Sequence, residues 1–229
     1  MRGSLMSVPV GFIFTVTGLV GQLVELAKEY IPELETIAVV DDRILDELRH
    51  AGHITELIRA RVNGYVECTA KAGAKAVLIT CSSIGACAYE ASRLVKIPVV
   101  RIDQAMVDKA ISAGTDIGVL ATLSTTLKPT LDLIKERAAL AGKEVRVHSS
   151  KCEGAFEAFK SGNLKMHDEI VMRELSRMAS RLEVVLLAQA SMARVAESAK
   201  DAGIKAAIFT SPRLGIESLS RTLLSKQNS

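Results

Sequence analysis

The stretch Val10-Gly11-Phe12-Ile13-Phe14-Thr15-Val16-Thr17 lines up, half a chain further on, with Ile117-Gly118-Val119-Leu120-Ala121-Thr122-Leu123-Ser124. Each is an apolar run that ends in hydroxyl residues, so Thr15 matches Thr122 and Thr17 matches Ser124. At nearly the same offset, Val77-Leu78-Ile79-Thr80-Cys81-Ser82-Ser83-Ile84-Gly85 lines up with Val185-Leu186-Leu187-Ala188-Gln189-Ala190-Ser191-Met192-Ala193, which pairs Cys81 with Gln189. Residues 37–40 correspond in the same way to 145–148, and 97–100 to 204–207. Similarity repeated over successive strand-like segments at one period marks a duplicated α/β unit.

Working outward, the hydropathy pattern predicts strands over residues 8–14, 36–40, 76–80, 99–102, 117–121, 144–148, 184–188 and 206–209. Between them, apolar spacing near 3.6 residues predicts helices over 18–30, 54–72, 104–113, 125–141, 167–181, 192–202 and 214–224. Short, almost continuously apolar strands alternating with helices belong to parallel sheets covered on both faces. The expected fold is therefore α/β: two pseudo-symmetric, four-stranded, Rossmann-like halves flanking one cleft. The expected division is 1–102, 103–211, and a C-terminal helix over 212–229 that packs back on the first half.

The 229 residues are 48% hydrophobic and 24% charged, with 15 Gly and 5 Pro, which excludes disordered, collagen-like and low-complexity classes. Twenty-nine Lys and Arg against 26 Asp and Glu leave a formal charge of +3 spread along the chain. No nucleic-acid arm or polybasic membrane patch is present, so neither partner is expected. The longest apolar runs, such as 184–188, fall far short of the roughly 20 residues that a bilayer-spanning helix needs. Arg2 is followed by no long apolar run with a small-residue cleavage site, so residues 1–6 read as an appendage and a cytoplasmic location is expected. Cys68, Cys81, Cys87 and Cys152 lack metal-like paired spacing and read as reduced thiols.

Ligands of open parallel sheets bind beyond the carboxyl ends of the strands, where Cys81, Gln189 and the hydroxyl residues fall. Cys81 at a strand end, followed by Ser82, Ser83 and a helix start, offers a nucleophile or base beside hydroxyl and N–H donors, which would lower the thiol pKa. On that ground Cys81 is expected to be more reactive than Cys68, Cys87 and Cys152, all three read as packing residues. The plainer reading of Cys81 is a small buried core residue. Thr122, Ser124 and Thr125 equally suit a helix N-terminus, a role compatible with binding an anion there. His167-Asp168 reads as a first helical turn with a solvated imidazole, and catalysis by His167 is the minor alternative. Asp41-Asp42 occupies the place of a ribose-reading acid, but Val16-Thr17-Gly18-Leu19-Val20-Gly21 is not the dinucleotide fingerprint, so no nucleotide cofactor is expected. The scattered His and Cys suggest no metal.

Over nearly the whole chain these residues resemble the aspartate/glutamate/hydantoin racemase superfamily, to which arylmalonate decarboxylase and maleate isomerase also belong. Residues 77–85 resemble its first-cysteine motif, 117–125 its second-half strand and threonine loop, and 187–193 its second-cysteine motif. The resemblance implies an isomerase that works without cofactor, in which two cysteines face each other across the substrate α-carbon. One removes a proton as thiolate and the other returns one from the opposite face. Here Gln189 stands in place of the second cysteine, and a carboxamide does not titrate. The implied catalytic pair is Cys81 and Gln189, with Thr15, Thr17, Ser82, Ser83, Thr122, Ser124, Thr125, Ala190 and Ser191 binding a small carboxylate and its enediolate. Racemisation, decarboxylation or another lyase reaction of a malonate-type acid, and simple carboxylate binding all remain open, as does assembly into a homodimer or larger homo-oligomer.

Overall fold

The computed structural model describes residues 7–227, so residues 1–6 and the reading given to them lie outside the described part. The chain divides into two compact units. Unit 1 runs to Ile102 and takes back the chain from Arg213 onward, and unit 2 is Asp103–Pro212.

Unit 1 contains, in order, β1 (Val8–Phe14), α1 (Val20–Tyr30), β2 (Leu34–Val40), α2 (Arg43–Ala51), α3 (Glu56–Lys71), β3 (Ala76–Ile79), α4 (Cys87–Leu94) and β4 (Val99–Arg101). Unit 2 contains α5 (Gln104–Ala113), β5 (Asp116–Ala121), α6 (Ser124–Leu140), β6 (Arg146–Lys151), α7 (Ala155–Lys160), α8 (Leu164–Ala179), β7 (Val184–Leu187), α9 (Ala193–Asp201) and β8 (Ala207–Thr210). Each holds one four-stranded sheet, ordered β2-β1-β3-β4 and β6-β5-β7-β8, and every pairing is parallel. The two units are thus wound identically, as the repeat predicts.

Position in the sheet explains the sequence of each strand. The inner strands β3 (AVLI) and β7 (VVLL) are buried at every residue, because helices cover both faces. The edge strand β6 (RVHSSK) is largely exposed and polar, which suits a strand with one unpaired side. α3 starts where Thr55 accepts the N–H of Ile58 at 3.3 Å, an N-cap that satisfies one of the free donors of the first turn. The last helix, α10 (Ser211–Gln227), places Ile216, Leu219 and Leu223 in the core of unit 1 with Val10, Phe12, Phe14 and Leu78. In unit 2 the corresponding cluster joins Leu120, Val171, Leu175, Val185, Leu187 and Met192.

The matched glycines Gly11 and Gly118 show how closely a helix lies on each inner strand. A methyl group on Gly11 would run into Thr69 of α3, and one on Gly118 into Met178 of α8. Thr69 is β-branched and its hydroxyl donates to the Tyr65 carbonyl at 2.6 Å, so it cannot turn aside, whereas a thioether can. Gly11→Ala is therefore expected to destabilise by about 1–3 kcal/mol, and Gly118→Ala by less. Chemical denaturation of the two variants tests this, and equal costs would refute it.

Candidate active site

In unit 1 the winding reverses between β1 and β3, the switch point at which open α/β sheets bind ligands. Ile13 pairs with Ile79, so these strands end side by side. Thr80 fastens the ends, its N–H and hydroxyl donating to the Ile13 carbonyl at 3.1 and 2.9 Å. Two residues beyond that pair, just past the strand ends, Thr15 and Cys81 consequently meet at the same place. Cys81 is extended (φ −121°, ψ 119°) and leads into the single 3-10 turn Ser82–Ile84, whose residues are all buried.

Cys81 keeps part of its surface accessible, but burial of the sulfur pushes its thiol above the ordinary range. Against burial work the Thr15 hydroxyl, the N–H and hydroxyl of Ser83 and the N–H of Ile84, each of which favours the thiolate. Thr15 Oγ1 is itself buried and makes no hydrogen bond of normal geometry. The structure thus brings Thr15, Cys81 and Ser83 together, with Ser82 buried in the same turn, while Thr17 lies exposed at the start of the turn Thr17–Leu19. The expectation of a depressed thiol pKa is corrected, because desolvation outweighs the donors.

Cys87 and Cys152 are buried, with thiols raised by desolvation to about 11 and about 12, whereas Cys68 is exposed and not the packing residue expected. Position 68 lies on the solvent side of α3, whose buried face carries Ile58, Val62, Val66 and Thr69. Iodoacetamide at neutral pH is therefore expected to label Cys68 first, Cys81 next and the buried pair last. The Cys81 rate should still be climbing beyond the ordinary thiol pKa of about 8.5. Mass spectrometry after brief labelling measures the order, and Cys81 labelling more slowly than Cys152 would refute it.

Unit 2 repeats the geometry with different chemistry. Leu120 pairs with Leu187 and the Ala188 N–H donates to the Leu120 carbonyl at 2.9 Å, which sets Thr122 beside Gln189. Gln189 Oε1 accepts from both the N–H and the hydroxyl of Thr122, the latter at 2.9 Å. Ala190 and Ser191 follow in the turn Ala190–Met192, where Ser191 is buried. Ser124 is exposed in the first turn of α6, and Thr125 beside it holds a buried hydroxyl without a partner. No side chain caps this helix start.

His167 departs from its expected setting. α8 begins at Leu164, with Asn163 Oδ1 accepting the Met166 N–H at 3.2 Å, and this earlier start turns His167 inward. The imidazole is fully buried, its Nδ1 is 2.7 Å from Asp168 Oδ1 and its Nε2 has no partner. Arg194 of α9 holds Asp168 at 2.9 Å. Burial raises the Asp168 carboxyl, but its bonds to Arg194 and His167 outweigh that and leave it below its usual range. Asp41, the other acid singled out in the sequence, is held by Arg61 and by the Tyr65 hydroxyl, the latter at 2.6 Å, in a network that includes Glu47. Reading the sequence alone missed Thr80, Arg61 and Arg194, whose partners are supplied by tertiary packing; the repeat pairs Thr80 with Ala188, so it holds no signal for a hydroxyl there. Among the described residues no cluster of three or more His, Cys, Asp and Glu is arranged to hold a metal, and no helix is long and apolar enough to cross a membrane.

Two identically wound parallel sheets, each with a polar pair at its switch point, define a racemase-type α/β fold, and solved structures share it. The chain superposes on a glutamate racemase isoform from Bacillus anthracis with a TM-score of 0.74 at 19% identity, covering 96% of this chain and 82% of that one. An allantoin racemase from Klebsiella pneumoniae gives 0.71 at 15% identity over 96% and 89% of the two chains. An aspartate racemase from Picrophilus torridus gives 0.70 at 14% over 97% and 95%. No curated protein matches the sequence significantly. The family profile for Asp/Glu/Hydantoin racemase matches residues 16–218, and the chain belongs to that family.

Proposed function

We propose that the protein is a cofactor-independent enzyme acting at the carbon next to a carboxylate, an isomerase in which Cys81 exchanges the α-proton through an enediolate. The observation that carries this reading is the Cys81 thiol at the switch point of unit 1, on a residue that keeps part of its surface accessible, set among the donors of Thr15, Ser83 and Ile84. A carbon acid is far weaker than a thiol, so the enediolate must be stabilised by several kcal/mol, and fixed hydroxyl and N–H donors do this without reorganising. In this reading Thr15, Thr17, Ser82 and Ser83 of unit 1 and Ser124, Thr125, Ala190 and Ser191 of unit 2 serve the carboxylate directly, and Thr122 serves it by holding the Gln189 carboxamide. Gln189 polarises the substrate and takes no proton.

The raised thiol favours a second reading, decarboxylation or a related lyase reaction of a malonate-type acid. A thiol that stays protonated at neutral pH is a ready acid, and loss of carbon dioxide leaves an enediolate that needs one proton. The two readings predict opposite pH dependence. If Cys81 is the base, kcat/KM rises with pH through the folded-state pKa as thiolate accumulates; if it is the acid, kcat/KM falls through that same pKa.

Proton NMR in deuterium oxide with amino acids, hydroxy acids, hydantoins and substituted malonates tests both. Loss of an α-proton signal is the expected result for the isomerase, and appearance of a monodeuterated monoacid for the decarboxylase. If no substrate exchanges or decarboxylates while carboxylates still shield Cys81 from alkylation, the proposal of catalysis falls.

A further inference from the structure

We infer that Gln189 is a self-anchored recognition residue: its carbonyl oxygen occupies both donors of Thr122, and its amide nitrogen is the donor that unit 2 turns toward a carboxylate ligand. The carboxylate half rests on the function proposed above, whereas the Thr122 half stands on the geometry of unit 2 alone.

A backbone N–H only donates, so the Gln189 atom that meets the Thr122 N–H is the oxygen, and the orientation of the carboxamide follows from that single contact. The Thr122 hydroxyl, at 2.9 Å, donates its one proton to the same oxygen. Thr122 is buried, so both donors would otherwise face an enclosed space unpaired, at a cost that Gln189 removes. With Oε1 fixed, Nε2 is directed away from Thr122. It donates to nothing among the described residues, and it belongs to the side chain of a half-buried residue.

The matching place in unit 1 shows what Gln189 changes. There Thr15 keeps a buried hydroxyl with no hydrogen bond of normal geometry, because Cys81 occupies the place that Gln189 takes in unit 2. The repeated threonine therefore has two roles. Thr15 is available to the thiol or to a ligand oxygen, and Thr122 is consumed as an anchor. What a ligand finds at Gln189 is an amide with two N–H groups and its acceptor already used, which complements a carboxylate or carbonyl oxygen and offers nothing to an ammonium group.

The test is nitrogen–proton NMR on the whole chain with malonate as the probe, the Gln189 side-chain resonances being assigned by their loss in Gln189→Ala. The Thr122 amide is expected to exchange slowly in the unmodified protein and about tenfold faster in Gln189→Ala. Malonate should shift the Gln189 amide protons and leave the Thr122 amide in place, whereas in Gln189→Ala it should shift the Thr122 amide. Gln189→Glu keeps an oxygen for Thr122 but presents no donor, so Thr122 should stay protected while malonate binding weakens. Equal Thr122 exchange in the unmodified protein and Gln189→Ala would overturn the anchor. Malonate that shields Cys81 from iodoacetamide yet leaves the Gln189 amide unmoved, or that binds Gln189→Glu undiminished, would overturn the donor role. If malonate neither shields Cys81 nor shifts Gln189, the donor role falls together with the carboxylate reading, while the exchange result still decides the anchor.

Discussion

Replacing Cys81 by Ser or Ala is expected to lower turnover by about a hundred- to ten-thousand-fold, the range over which a positioned acid–base group contributes to proton transfer. A serine hydroxyl in the same place accepts the same donors from Thr15, Ser83 and Ile84, but it is far too weak an acid to cycle between protonated and ionised forms near neutral pH. The fold should survive, because exchanging or removing one atom at a partly accessible strand end leaves the core of β1 and β3 untouched. Stability is expected to stay within about 1 kcal/mol of the parent. Steady-state kinetics together with chemical denaturation separate the possibilities. Full turnover in Cys81→Ser, or a variant that unfolds, would return Cys81 to an ordinary packing role.

Gln189→Cys is expected to give the second large effect. With Gln189 in place only one of the two repeated positions titrates, so an α-proton can be removed and replaced by solvent deuterium on one face alone. A thiol at 189 supplies the second acid–base group that the family resemblance assigns to this position. Inversion should then rise against exchange by about tenfold or more, the lower end of a gain from general acid–base catalysis. The same substitution removes the carbonyl from Thr122 and frees its N–H and hydroxyl, so KM is expected to change as well. Chiral chromatography beside NMR gives both rates in one sample. An unchanged ratio would show that position 189 does not reach the reacting carbon.

The fold was legible in the sequence where burial dictates composition. The runs at Val8–Phe14, Ala76–Ile79 and Val184–Leu187 read as inner strands because four to seven almost continuously apolar residues suit a sheet covered on both faces and are too short for a buried helix. β6 was legible less well: the expected strand over 144–148 lies at Arg146–Lys151, because an exposed edge strand reading RVHSSK has no apolar period to mark its ends. α2 (Arg43–Ala51) was missed although Ile44, Leu45 and Leu48 lie at helical spacing and are buried, because nine mostly polar residues give only one such apolar set.

At the site, the repeat locates Thr15, Cys81, Thr122 and Gln189 at strand ends. What they do there depends on partners that spacing does not reveal. The sign of the Cys81 shift is decided by how many atoms enclose its sulfur, a tertiary quantity, and it came out opposite to the one suggested by nearby helix donors. The Thr122–Gln189 bond requires the pairing of Leu120 with Leu187, and the burial of His167 requires a helix start three residues earlier than expected.

The central claim is that a single thiol exchanges the α-proton on one face, and the most direct measurement is the stereochemistry of deuterium uptake. A single enantiomer of a substrate found by the NMR survey is incubated with the unmodified protein in deuterium oxide, and deuterium incorporation and enantiomeric composition are followed together. The expected result is incorporation with retention, faster than inversion and absent in Cys81→Ser. Inversion as fast as incorporation in the unmodified protein, or incorporation that persists without the thiol, would contradict it.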